Sequence, residues 1–149
     1  MTEDQWLESA FARYEAPFAG LGRAVRLRVQ ARLPSFNQIL YYYENRGNLV
    51  ISWSPTENGY DGVCSLAVAA GGVLLHFAKG AALLGADPGK RLQGRGPGVR
   101  HVVLTDAAEI ADPSIEALFS AALALAGVQV DPGAAGKVLL APQQRARKR

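Results

Sequence analysis

At 149 residues the chain is sized for one domain and is too short for two of ordinary size. Apolar residues make up 49% and charged residues 19%, which excludes wholesale disorder. A single cysteine, Cys64, excludes both an internal disulfide framework and a zinc site built from several cysteines.

Charge is divided unevenly along the chain. Residues 1–126 hold 11 Lys/Arg against 12 Asp/Glu, whereas residues 127–149 hold five against one. The basicity therefore lies in the tail. A DNA-binding fold carries its positive patch on the fold itself, so any nucleic-acid contact is expected only through that tail. No apolar run is long enough to span a membrane, and the acidic start MTEDQWLESAF does not read as a signal peptide. A soluble, cytoplasmic protein is expected.

The first element is a helix. Thr2 with Gln5 forms a capping box, and Glu3 and Asp4 suit the positive end of the helix dipole. Trp6, Leu7, Ala10, Phe11 and Tyr14 recur at helical spacing, and Pro17 is expected to end the run. A second helix is expected from about Ala19 to Leu33, with Leu21, Val25 and Val29 inward. Arg23, Arg26, Arg28 and Arg32 then lie on its solvated faces.

From Asn37 the period becomes extended. Strands are expected at QILYYYE, LVISWS, VCSLAVAA, VLLHFA and VRHVVL, with a turn at Asn45–Asn48 and a longer loop from Pro55 to Gly62. Gly71-Gly72 reads as a two-residue hairpin loop, which would place Ala70 opposite Val73 and Ala67 opposite His76. The last helix is bracketed by Asp112 as N-cap, Pro113 at its first position and Gly127 past its end. Residues 1–126 thus form one α+β domain, a five-stranded, mostly antiparallel sheet packed by N-terminal and C-terminal helices. Residues 127–149 read as a largely irregular tail, with one short ordered stretch around Val138 to Leu140.

Several residues between Phe77 and His101 carry a family resemblance. Phe77, Gly80 and Ala81 come first, then Asp87-Pro88, then Leu92, Gly94 and Gly96, and finally Arg100-His101. In this order they resemble the YdhG-like bacterial domain of unknown function over roughly residues 20 to 126. The resemblance implies a twisted antiparallel sheet packed by helices, similar to secretion-chaperone-like folds. Some relatives are labelled frataxin-like iron chaperones, which makes iron handling an alternative function. An iron ridge wants carboxylates on one exposed face, and here Glu3, Asp4, Glu8 and Glu15 are dispersed.

No reaction is legible. Cys64 is expected on the opposite sheet face from His76, which makes it a buried structural thiol. His76 and His101 stand on separate strands without acidic or sulfur partners at ligand spacing, so neither a metal site nor a cofactor is expected. The serines lack a nucleophile elbow.

Two surfaces stand out. The segment GADPGKRLQGRGPGVRH gathers Lys90, Arg91, Arg95, Arg100 and His101 on glycine-rich backbone that can cradle a small anionic ligand. The strands also carry surplus aromatics, of which Tyr42 and Trp53, with His76, are the candidate binding residues. Alternation sends Tyr41 and Tyr43 to the face opposite Tyr42. Apolar residues on both sheet faces point to a ligand groove or a two-fold homodimer.

The leading expectation is a non-enzymatic binding or chaperone-like module presenting one sheet face and the glycine- and arginine-rich loop. The alternative is a small enzyme acting on an anionic substrate with a histidine acid–base. Arg100 and His101 must point to opposite faces, and Arg100 is expected to make the structural bond.

Overall fold

The computed structural model describes residues 1–144. Two helices come first, α1 (Glu3–Phe11) and α2 (Ala16–Arg32). Then follow β1 (Asn37–Tyr43), β2 (Asn48–Ser54), β3 (Cys64–Ala69), β4 (Gly72–Phe77) and β5 (Arg100–Leu104). After these come α3 (Pro113–Ala126) and β6 (Val138–Leu140), followed by a helical turn at 142–144. No described helix is long and apolar enough to cross a membrane.

The capping box of α1 is formed in both directions, with Thr2 Oγ1 accepting from the Gln5 N–H and Gln5 Oε1 accepting from the Thr2 N–H. Pro17 does not end this helix. It lies in the first turn of α2, where its missing N–H has no intrahelical partner to lose. Tyr14 falls in the corner between the helices. Its hydroxyl donates to the Gly47 carbonyl (2.6 Å) and accepts from the Leu49 N–H (2.9 Å). That pair of bonds ties the helical corner to the β1–β2 hairpin. At the far end, Gly127 terminates α3 at φ +69°, a left-handed cap that favours glycine.

The sheet has six strands in the order β5-β4-β3-β2-β1-β6. The expected five become six because Val138–Leu140 pairs with Gln38–Leu40, and this pairing is parallel. The segment after α3 is pinned by the Gly136 N–H to the Pro34 carbonyl (2.8 Å) and by the Gln38 N–H to the Lys137 carbonyl (2.8 Å). Gln144 Nε2 donates to the Tyr42 carbonyl, so ordered contacts run to the last described residue. The basic residues Arg145, Arg147, Lys148 and Arg149 lie outside the described residues.

Register partners share a sheet face. One face carries the rows Leu40–Ile51–Leu66–Leu75–Val102 and Tyr42–Leu49–Val68–Val73–Leu104. Most of these side chains are buried, and they meet Val25 and Val29 of α2 and Ile115, Leu118 and Phe119 of α3 in one core. Phe77 meets Phe119 edge to face, with centroids 5.6 Å apart. Arg32 of α2 holds Glu116 of α3 through two guanidinium nitrogens. α1, α2 and α3 thus serve one face, and among the described residues the other carries only the helical turn at 142–144, whose Pro142 and Gln143 border it.

The β3–β4 hairpin turns one residue earlier than expected. Ala69 pairs with Gly72, so Ser65 rather than Ala67 stands opposite His76. A displacement of two residues leaves every side chain on its expected face. Cys64 therefore still points away from His76, into the core.

Candidate functional site

The uncovered face is laid out in two parallel rows. Ile39, Ser52, Ser65, His76 and His101 form one row across five strands. Tyr41, Val50, Ala67, Leu74 and Val103 form its apolar neighbour. The 55–62 loop rises beside them and, with Pro142 and Gln143, encloses a groove of about 710 Å³. That loop is held by short polar bonds. Ser54 Oγ donates to the Asn58 carbonyl (2.7 Å), Thr56 Oγ1 donates to Asp61 (2.7 Å), and Asn58 Oδ1 accepts from the Tyr60 N–H (2.9 Å). Gly62 packs so closely on Ser52 that a β-carbon would collide with its hydroxyl. The loop thereby presents Tyr60, 98% exposed, at the groove's rim.

Inside the groove the rings of Tyr41 and Tyr43 lie nearly parallel, at 4° with centroids 5.9 Å apart. Burial, with Tyr43 and Tyr60 nearby, raises the Tyr41 hydroxyl above its ordinary pKa, so the phenol stays neutral. His76 forms part of the floor, and His101 stands beside it on β5 with ring centroids 5.6 Å apart. Burial first, and then the neighbouring His101, lower the His76 pKa. A neutral imidazole can both donate and accept.

The glycine-rich segment is built differently from the anion cradle expected of it. Asp87, one of the residues that carry the resemblance, is buried and accepts from the N–H groups of Arg91 (2.8 Å) and Leu92 (2.9 Å). The Asp-Pro-Gly triplet is the signal for this turn, since an aspartate side chain can mimic a backbone acceptor. Arg91 is fully employed, reaching Glu109 (2.6 Å), Ser114 Oγ (2.9 Å) and Asp112 (3.5 Å). Asp112, expected as a side-chain N-cap, makes no capping bond of its own to α3. Gln93 exchanges backbone bonds with His101 and extends the sheet edge by one bridge.

Arg100 points to the helical side, opposite His101. Its Nη2 donates to the Gly96 carbonyl (2.9 Å), while its Nε is buried without a partner. The expected structural bond is present, made to a backbone carbonyl of the loop. Gly80 backs directly onto Arg100, and a β-carbon there would stand 2.7 Å from the Arg100 nitrogen. The motif residues Gly80, Asp87, Gly94 and Arg100 therefore lock the β4–β5 connection. Lys90, with φ +53°, and Arg95 are exposed on this loop.

The remaining candidates separate cleanly. Trp53 is 0% exposed and lies in the helix-side row Gln38–Trp53–Cys64–Phe77–Arg100. It belongs to the core rather than to a binding surface. Tyr42 faces the helices as well, with the Arg13 guanidinium 4.2 Å from its ring. Both placements follow from alternation, because these residues share the pleat of Leu40 and Ile51. Cys64 is buried, and desolvation pushes its thiol up to about 12. The α2 arginines are largely internal partners, Arg23 to Glu8, Arg26 to Gln38 and Arg32 to Glu116.

Among the described residues no three His, Cys, Asp or Glu side chains gather at a common point that would hold a metal ion. Comparison with known proteins finds no family model, no curated protein and no solved structure that matches the chain.

Proposed function

We propose that this protein is a small-ligand-binding module whose ligand enters the groove on the uncovered sheet face. The observation that carries this reading is the placement of α1, α2 and α3 on one face, which among the described residues leaves on the other a groove of about 710 Å³ floored by Tyr41, Tyr43, Val50, Ser52, Ser65 and His76. A concave surface pairing an apolar wall with a few fixed polar groups is the usual form of a ligand site. The glycine-rich loop, the other half of the expected surface, is better described as a structural lock.

A thermal-shift screen of a small-molecule library tests this reading, because a ligand specific to the folded state raises the melting temperature. Hits should be lost in Val50→Lys, which places a charge in the groove, and kept in Arg95→Ala. The opposite pattern, or no stabilising compound at all, would refute it.

A second reading is favoured by the histidine pair. Burial and the neighbouring His101 lower the His76 pKa, which favours the neutral imidazole that a general base uses. Its arginines for an anionic substrate are occupied, however, with Arg91 in an ion-pair cluster and Arg100 on the opposite face. Turnover of an ester or phosphate panel that disappears in His76→Gln would favour it over the binding module.

The likeness to the YdhG-like domain, and through it to secretion-chaperone-like folds, stays a proposal. What supports it is that the motif residues share one structural task, securing the β4–β5 connection. Two-fold association through the uncovered face is the competing occupant of the groove, and sedimentation at high concentration separates the two.

A further inference from the structure

Among the described residues, the lining of the groove does not share the basic character of the chain. Of the described residues that line it, Glu57 is the one that carries a formal charge, and no lysine or arginine is among them. Three tyrosines face the same space. Tyr41 and Tyr43 supply parallel rings from the floor, and Tyr60 stands exposed at the rim. The faces of aromatic rings are electronegative, and such rings attract cations, quaternary ammonium groups above all.

We propose that the groove binds an organic cation, a quaternary or protonated amine, with its charged head against the tyrosines and Glu57. This rests on the groove reading above and names the ligand class it takes. The apolar body of such a ligand would lie along Val50 and Pro142, which border the same cavity. Glu57 is held by Lys137 at 3.0 Å, but both side chains are more than 60% exposed, and an exposed ion pair of that kind is readily exchanged. Small anions are disfavoured. They would meet a carboxylate and phenolic rings, and no described lysine or arginine lines the groove to receive them.

The test compares three probes against the full chain by heteronuclear NMR titration: choline, its neutral isostere 3,3-dimethyl-1-butanol, and acetate. Choline should bind about tenfold more tightly than the isostere, the difference that ring and carboxylate attraction supplies. Acetate should give no saturable shifts in the groove. Tyr41→Leu and Glu57→Gln should each weaken choline by roughly threefold or more. Tyr60→Ala, at a fully exposed rim position, gives the same reading without risk to the fold.

Equal binding of choline and its isostere in the groove would overturn the cation assignment while leaving the groove reading intact. Tighter binding of acetate there would do the same. Absence of a saturable response from all three probes would overturn the cation assignment, and the library screen then decides the groove reading on its own.

Discussion

His76 and His101 face each other across β4 and β5, with their imidazoles 5.6 Å apart on the open side of the sheet. Burial and the neighbouring ring hold His76 below the ordinary 6.5. The unfolded chain therefore binds a proton at this position more readily than the folded one, so acid favours unfolding. Stability should fall as pH drops below 6.5 toward the folded value. His76→Gln should flatten that part of the profile, as read from urea midpoints at pH 7.5, 6.5 and 5.5. Identical slopes in both proteins would show that the pair does not couple to folding.

Two glycines on one helix should respond to alanine with opposite signs. Gly20 of α2 has open space around its α-carbon, whereas a β-carbon at Gly22 would stand 2.9 Å from both the Phe11 ring and a Val68 methyl. Gly20→Ala should stabilise by about 0.5–1 kcal/mol through helix propensity. Gly22→Ala should cost about 1–3 kcal/mol by overpacking the α1–α2–β3 contact. Thermal melts of the two variants check both signs.

Arg91 is expected to matter to folding far more than its loop neighbours. It holds Glu109, Asp112 and Ser114 at one partly buried point. Burial works against the charged form of Glu109. Bonds from the Thr105 and Asp106 N–H groups and the Thr105 hydroxyl, with Arg91 beside it, nevertheless keep its pKa below the ordinary 4.5. Arg91→Ala should therefore cost roughly 1–3 kcal/mol, whereas Arg95→Ala should stay within about 0.5 kcal/mol. Because a lowered carboxylate pKa stabilises the fold above its unfolded value, the Arg91 contribution should fade as pH falls below 4.5. Chemical denaturation at pH 7 and pH 4 measures the difference.

Much of the architecture was legible because its signals are local. The Thr2–Gln5 box, Pro113 and Gly127 mark helix ends by backbone chemistry that needs no tertiary context. Strand alternation placed Tyr41 with Tyr43 and separated Arg100 from His101. What failed depended on distant parts of the chain. Pro17 fits a first turn as well as it fits a stop, and only the corner held by Tyr14 decides between them. The parallel pairing of Val138–Leu140 with β1 joins segments about a hundred residues apart. The approach of His76 to His101 depends on the register of β5, which follows a long connection rather than a tight turn. Trp53 and Tyr42 looked available as aromatic residues, although the pleat they share with Ile51 and Leu40 turns them inward. Arg91 stood as a candidate ligand contact because the groups that engage it lie on a later 3₁₀ turn and helix.

Cys64 should be inert in the native protein. It is 2% exposed, and burial pushes its thiol up to about 12, so almost no thiolate is present at neutral pH. A thiol reagent such as Ellman's should react at a rate limited by unfolding, and fully once denaturant is added. Rapid stoichiometric labelling of the folded chain at pH 7 would contradict its place in the core.

In the proposed function the ligand enters at the uncovered sheet face and not at the glycine-rich loop. Amide chemical-shift mapping of the best compound from the thermal-shift screen tests it most directly. Saturable shifts should concentrate at Tyr41, Tyr43, Val50, Ser52, Ser65 and His76. Shifts concentrated instead at Lys90, Arg91 and Arg95, with the sheet face unmoved, would contradict it.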